Sequence, residues 1–266
     1  MCRWAAYLGE PVFLEEIVTA PQQSLIAQSH HALEAKTATN GDGFGIAWYG
    51  DRAEPGRYRD VLPAWSDCNL KSLCQQIRSG LFLAHVRAST GGATSRDNCH
   101  PFVSGRWSFM HNGQIGCFPL IRRRLVDSLP DDIYAQMHGT TDSELIFLLM
   151  LAEGLDHDPH GATARAAACV LAAAERAGAD PLKLTAAFSD GERLYAVRFS
   201  TMSHAPTLYA GNFRNRLGRC LVSEPFDRDG PEWQLIPPGS FVSASHDGVA
   251  VSAFEPAHHP AHALAG

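Results

Sequence analysis

The 266-residue sequence offers little to a membrane, a disulfide scaffold or a nucleic acid. Its apolar runs are short: LIFLLMLA (145–152) stops at Glu153 after eight residues, where a membrane-spanning helix needs about 20. The net charge is −6 with no basic stripe, so neither a membrane nor a nucleic-acid partner is expected. Seven cysteines are an odd number scattered along a long chain, unlike the dense, even sets of disulfide frameworks. Reduced thiols and a cytoplasmic setting are expected. No apolar signal-peptide core follows the first residues. There is no HExxH and no CxxC, and Cys68 and Cys74 are too far apart for a zinc knuckle. No metal and no cofactor are expected, and His258, His259 and His262 near the end are assigned no function. GxSxG is absent, which removes the common serine-hydrolase reading.

What is present is ordinary globular composition, 45% hydrophobic and 19% charged, which excludes disorder, collagen and coiled coil. CRWAAYLG (2–9) reads as a strand that starts at the second residue, and residues 13–18 and 24–35 as helical or irregular. NGDGFGIAWYG (40–50) is a glycine-rich turn feeding a strand. NLKSLCQQIRSG (69–80) reads as a helix with Gly80 at its end. GLFLAHVRAST (80–90) is a strand, and RWSFMHNG (106–113) a strand closed by an Asn-Gly turn. Helices are expected at 118–129, at 140–155 with the Thr141–Glu144 spacing of a capping box, and at 161–179 with Gly178 near its end. Residues 184–199 form a hairpin about Ser-Asp-Gly, and short strands follow to residue 254. Strands, then helices, then strands again indicate an α+β layered domain with largely antiparallel sheets. One domain over 2–256 and a loose tail at 257–266 are expected.

Cys2 follows the initiator methionine, which is normally removed before a small residue. The mature chain would then begin with a cysteine bearing a free α-amine of pKa about 7.7–8.0, a usable base at neutral pH. Nucleophile and base would then sit on one residue. Met-Cys also occurs by chance. Four later segments follow it in order: NGDGFGIAWY (40–49), HVRAST (85–90), HNG (111–113) and TTDSE (140–144).

With Cys2, these motifs resemble the class II glutamine amidotransferase domain from residue 2 to about residue 155. The likeness is weaker at VSEPFD (222–227), Trp233 and IPPGSFVSAS (236–245). The resemblance implies a four-layer α/β/β/α sandwich of the N-terminal nucleophile hydrolase type, with two mainly antiparallel sheets between helical layers. It also implies attack by Cys2 on a γ-glutamyl amide. Such a substrate carries a free carboxylate and a free ammonium. Arg87 offers a planar fork for the carboxylate, and Asp142 can take the ammonium. The family assigns these two tasks to the matching residues, and Thr90 matches a position that helps bind the carboxylate. Arg87 could also be a surface ion-pair residue, and Asp142 an acid serving a helix dipole.

Attack on an amide creates an oxyanion that needs donors fixed in advance. The family uses the residues matching the Asn112 side chain and the Gly113 backbone N–H. HNG alone would read as a hairpin turn. NGDGFG leads into a strand, which argues against dinucleotide binding. Asn40 or Asp42 could orient the Cys2 amine. His85, His100 and His111 lie beside the motifs and read as core or hydrogen-bonding histidines.

Ammonia-delivering members often begin Cys-Gly, with Trp after the matching Arg and His after the matching Thr. Here the start is Cys-Arg, and those positions are Ala88 and Gly91. The strings MCRW, HVRAST, NCHPF (98–102) and FMHNG (109–113) are similar to a stand-alone branch. That branch includes the amidotransferase-like subunit of the fungal glutathione-degradation complex and the bacterial ergothioneine-pathway γ-glutamyl hydrolases. The reading is hydrolysis of glutamine or another γ-glutamyl compound through a thioester on Cys2. Two alternatives stand beside it: a glutaminase subunit feeding ammonia to a separate synthase, and a non-catalytic γ-glutamyl-binding partner. A small γ-glutamyl substrate, with or without a partner subunit, is implied.

Overall fold

Strand β1 (Arg3–Phe13) is buried at every position from Arg3 to Gly9. A strand covered on both faces does not alternate apolar with polar; its two faces enter different cores. Ala5 and Tyr7 pack with Leu14, Ile17, Leu25 and Phe82. Trp4, Ala6 and Leu8 pack on the other side with Leu83, Met110, Ala187 and Val242. The computed structural model describes residues 2–34, 39–89, 93–178, 182–213, 218–226 and 233–257.

After β1 come α1 (Glu15–Val18), α2 (Leu25–His30), β2 (Phe44–Trp48), β3 (Gly56–Asp60), α3 (Cys68–Gln76) and β4 (Arg78–Val86). The middle holds β5 (Phe102–Ser104), β6 (Trp107–Ile115), α4 (Phe118–Asp127), α5 (Asp131–Tyr134), α6 (Asp142–Ala152) and α7 (Pro159–Arg176). The last stretch is β7 (Leu182–Ser189), β8 (Leu194–Ser200), β9 (Tyr209–Phe213), β10 (Gly218–Val222), β11 (Gln234–Leu235), β12 (Ser240–Ser245) and β13 (Gly248–Ala253). One sheet has the order β11-β9-β10-β1-β4-β2-β3, the other β13-β12-β8-β7-β6-β5. Every pairing in both is antiparallel.

The cores define the layers. Helices α1 to α3 cover the outer face of the first sheet through Ile17, Leu25, Leu70 and Cys74. Trp4, Leu83, Met110 and Ala196 fill the space between the sheets. Phe109, Phe188 and Phe241 of the second sheet pack on Ile121 of α4, Leu145–Met150 of α6 and Val170 of α7. This is the expected α/β/β/α sandwich. Tyr49, at the end of the NGDGFGIAWY motif, ties the two sheets together: its hydroxyl meets Arg106 O at 2.8 Å, Ser108 Oγ at 2.8 Å and Ser189 O at 3.0 Å. Among the described residues no helix is long and apolar enough to cross a membrane.

Local signals account for most boundaries. Thr141 caps α6 by accepting from Glu144 N at 3.2 Å. Glu144 does not close the box on Thr141; it accepts from His138 N (2.9 Å) and Gly139 N (2.7 Å). Helix α7 begins two residues before the expected start, because Asp158 caps it and Pro159 occupies the first helical position. Two expectations are corrected. Helix α3 ends at Gln76, and Gly80 lies inside β4, so it caps nothing. Asn112 and Gly113 are not a turn; they lie within β6, opposite Thr185 and Leu184 of β7. The last nine residues, 258–266, lie outside the described residues, as does Asp227 of VSEPFD.

Candidate active site

The site forms where the start of β1 meets the end of β4. Arg3 pairs with Val86 and Trp4 with His85, so one further step in register sets Cys2 beside Arg87. Cys2 shares the inward face of β1 with Trp4. It is half-buried, and its Sγ lies 3.6 Å from Ala88 O. Burial pushes the thiol pKa above its ordinary value, against the opposing pull of the Ala88 backbone and the Arg87 charge. At neutral pH this sulfur is a thiol, and it needs a base to attack.

The glycine-rich turn holds Arg87. Arg87 N donates to Gly43 O at 2.8 Å, and its Nη1 to Asp42 O at 3.3 Å. Its Nη2 reaches Ser89 Oγ at 3.2 Å. Asp42 Oδ2 accepts from Ser89 N at 2.7 Å, closing the loop on itself. Gly43 sits at φ 113°, and a Cβ there would stand 2.6 Å from Cys99 Sγ. Only glycine fits that bend. Arg87 is 4% exposed, and among the described residues its side-chain partners are neutral oxygens, so no carboxylate there takes up its charge. Thr90 lies outside the described residues.

From the second sheet, Asn112 shares the inward face of β6 with Met110. It is 1% exposed, and its Nδ2 has no acceptor among the described residues. A buried donor left unpaired costs about 1–3 kcal/mol. The neighbouring His111 faces the helices. Its Nε2 lies 3.1 Å from Lys183 O and its Nδ1 2.9 Å from Ser143 Oγ. Since a carbonyl only accepts, Nε2 donates to Lys183 O, while the one proton of the Ser143 hydroxyl lies between Nδ1 and Asp142 Oδ1. Burial lowers the His111 pKa, against the opposing pull of the Asp142 charge and the Lys183 carbonyl. A Cβ on Gly113 would overlap both Lys183 O and His111 Nε2, so this backbone can carry no side chain.

Asp142 occupies the first turn of α6, as expected. Its Oδ2 accepts from Ile115 N at 2.9 Å, which pins the helix to the strand that carries Asn112 and Gly113. Its Oδ1 lies 3.3 Å from Ser143 Oγ. Ser143 was not singled out from sequence; its only signal was its place inside TTDSE. Of the two residues considered for the Cys2 amine, Asp42 is engaged by Ser89. Asn40 is fully buried, and both polar atoms of its amide lack partners among the described residues. Among the described residues no group of three or more His, Cys, Asp or Glu side chains is placed to hold a metal ion.

The chain matches the family model for class II glutamine amidotransferases over residues 18–210. It is 32% identical to the Saccharomyces cerevisiae protein named "Probable glutamine amidotransferase DUG3", over 91% of this chain and 81% of that one. It is 31% identical to the "Gamma-glutamyl-hercynylcysteine sulfoxide hydrolase" of Mycolicibacterium smegmatis, over 95% of this chain and 99% of that one. A solved class-II glutamine aminotransferase domain protein from Silicibacter pomeroyi is 42% identical, covers 96% of this chain and 100% of its own, and superposes with a TM-score of 0.79. A family match across most of the chain meets a fold that brings Cys2 and Arg87 together at one strand end: the chain belongs to the class II glutamine amidotransferases.

Proposed function

We propose that the chain hydrolyses the γ-amide bond of a γ-glutamyl compound through a thioester on Cys2, once Met1 has been removed. The observation that carries this reading is Asn112 Nδ2, an enclosed donor without an acceptor among the described residues, on the sheet that faces Cys2. A fold keeps such a group where an anion will develop. The likeness to a γ-glutamyl hydrolase over nearly the whole chain supports the same substrate class.

Arg87 takes the α-carboxylate of the substrate, and Asp142 its α-ammonium. The Cys2 amine accepts the thiol proton as Sγ bonds to the carbonyl carbon of the γ-amide. The carbonyl oxygen becomes an oxyanion, held by Asn112 Nδ2 and the Gly113 N–H. As the C–N bond breaks, the ammonium of Cys2 gives its proton to the leaving nitrogen. A water then loses a proton to the same amine and attacks the thioester. Glutamate leaves, and Sγ regains its proton. Every proton passes through one amine.

The test is glutamate release from a panel holding glutamine, glutathione and other γ-glutamyl amides, with Cys2→Ala as control and the leaving amine identified. Preference for a bulky amide over glutamine supports the hydrolase. Release from glutamine alone makes the chain an ammonia-supplying subunit, and release insensitive to Cys2→Ala refutes the mechanism.

A further inference from the structure

His85 of β4 is 1% exposed and stands opposite Trp4, facing the space between the sheets. Its Nε2 lies 3.3 Å from His111 O. The acceptor is a carbonyl, so Nε2 bears the proton and Nδ1 is bare. Nδ1 has no partner among the described residues. The carbonyl belongs to the peptide that joins His111 to Asn112. From the far side of β6 the same residue is held through its ring, by Lys183 O and Ser143 Oγ. His85 is braced from behind: the His100 ring stacks on it at 4.1 Å, and Phe102 meets His100 edge-on at 4.7 Å.

We infer that His85 is a positioning residue for the reaction proposed above, holding the His111–Asn112 peptide so that Asn112 and Gly113 present their donors at a fixed angle. The role rests on that reaction. An oxyanion donor works only when placed beforehand, and an error of about 1 Å can cost about a hundredfold in rate. A residue needed only to fill this space would be apolar, because an apolar side chain leaves no bare nitrogen in the core. The inner-face pairing with Trp4 and the stack on His100 leave the ring little freedom to turn. Burial carries the His85 pKa down to about 3, and the neighbouring Arg87 and His111 act in the same direction. The titratable groups packed against it are Arg87 from its own strand end, His111 from β6 and His100 from the segment before β5. The ring therefore keeps a single donor across the neutral range.

Two measurements test this. In protein confirmed to lack Met1, His85→Leu should lower kcat for γ-glutamyl amide hydrolysis by about tenfold to a hundredfold, with KM within about twofold of wild type. His85→Gln should recover most of kcat, because its Nε2 can reach the same carbonyl. Equal losses in both variants, or unimpaired His85→Leu beside an active wild type, overturn the role alone. A wild type that turns over no γ-glutamyl amide overturns the reaction and the role with it. Nitrogen-15 NMR of the imidazoles needs no turnover: it should show His85 neutral and protonated on Nε2 from about pH 5.5 to about pH 8. An Nδ1–H tautomer or an imidazolium in that range overturns the assignment.

Discussion

Arg3 and Glu224 form an enclosed ion pair one residue from Cys2: Arg3 Nε lies 3.7 Å from Glu224 Oε2, and the side chains are 0% and 3% exposed. Arg3 also donates to Ser223 O (3.3 Å) and Glu34 O (3.1 Å). Glu224 accepts from Leu33 N (3.0 Å) and Glu34 N (3.1 Å). The pair thus joins the start of β1, the segment after β10 and the loop after α2, and fixes the strand end that carries Cys2. Removing one partner leaves the other charge buried alone, which costs about 3–5 kcal/mol. Arg3→Met should lower the unfolding free energy in urea by that order and reduce turnover. An unchanged urea midpoint would show that the pair holds nothing.

Arg87→Lys keeps the charge but loses the fork. Lysine cannot grip a carboxylate with two parallel bonds, nor reach Asp42 O and Ser89 Oγ together. The KM for a γ-glutamyl amide should rise about tenfold or more, with kcat falling less. Initial-rate kinetics decide; unchanged kinetics contradict the carboxylate role.

Asn112→Ala removes the unpaired donor and should cost about a hundredfold to a thousandfold in kcat, with little change in KM. Its Nδ2 bonds nothing within the described residues, so the melting temperature should not fall. Gly113→Ala behaves differently, because its methyl displaces Lys183 O and the His111 ring. Both kcat and the melting temperature should drop. Equal thermal losses in the two variants would contradict the distinction.

The sequence motifs locate the segments that form the candidate site but not how they are held. The Thr141–Glu144 spacing marks the start of α6, because capping is a local interaction. Asn112-Gly113 reads equally as a turn or as part of an oxyanion site, and it is the pairing of β6 with β7 that excludes the turn. The His111–Ser143 bond joins residues 32 apart and depends on how α6 lies against β6, which no short motif encodes. Arg3–Glu224 spans nearly the whole chain and is equally hidden. Strands β3 (GRYRD) and β5 (FVS) give no signal of their own: one is polar, the other three residues long, and their neighbours impose the extended form.

Buried histidines also make the fold sensitive to acid. His85 is brought to about 3, His100 lies well below 6.5, and His111 is lowered as well, each chiefly through burial. Below the ordinary value of 6.5 the unfolded chain binds more protons at these rings than the folded chain does. Stability therefore rises with pH in that window and falls as pH drops through it, by up to about 4 kcal/mol per pH unit if all three stay neutral. Urea midpoints should fall steeply below about pH 6.5. The triple replacement of His85, His100 and His111 by Gln should flatten the curve; an equally steep curve in that variant contradicts the assignment.

The central claim is a covalent bond at Cys2, and mass spectrometry of protein quenched in acid during turnover reads it directly. The account predicts a chain without Met1 that carries one added glutamyl residue on its N-terminal peptide, an adduct that disappears once substrate is exhausted and never forms in Cys2→Ala. Turnover with no such adduct, in a protein whose Cys2→Ala variant remains active, would contradict it.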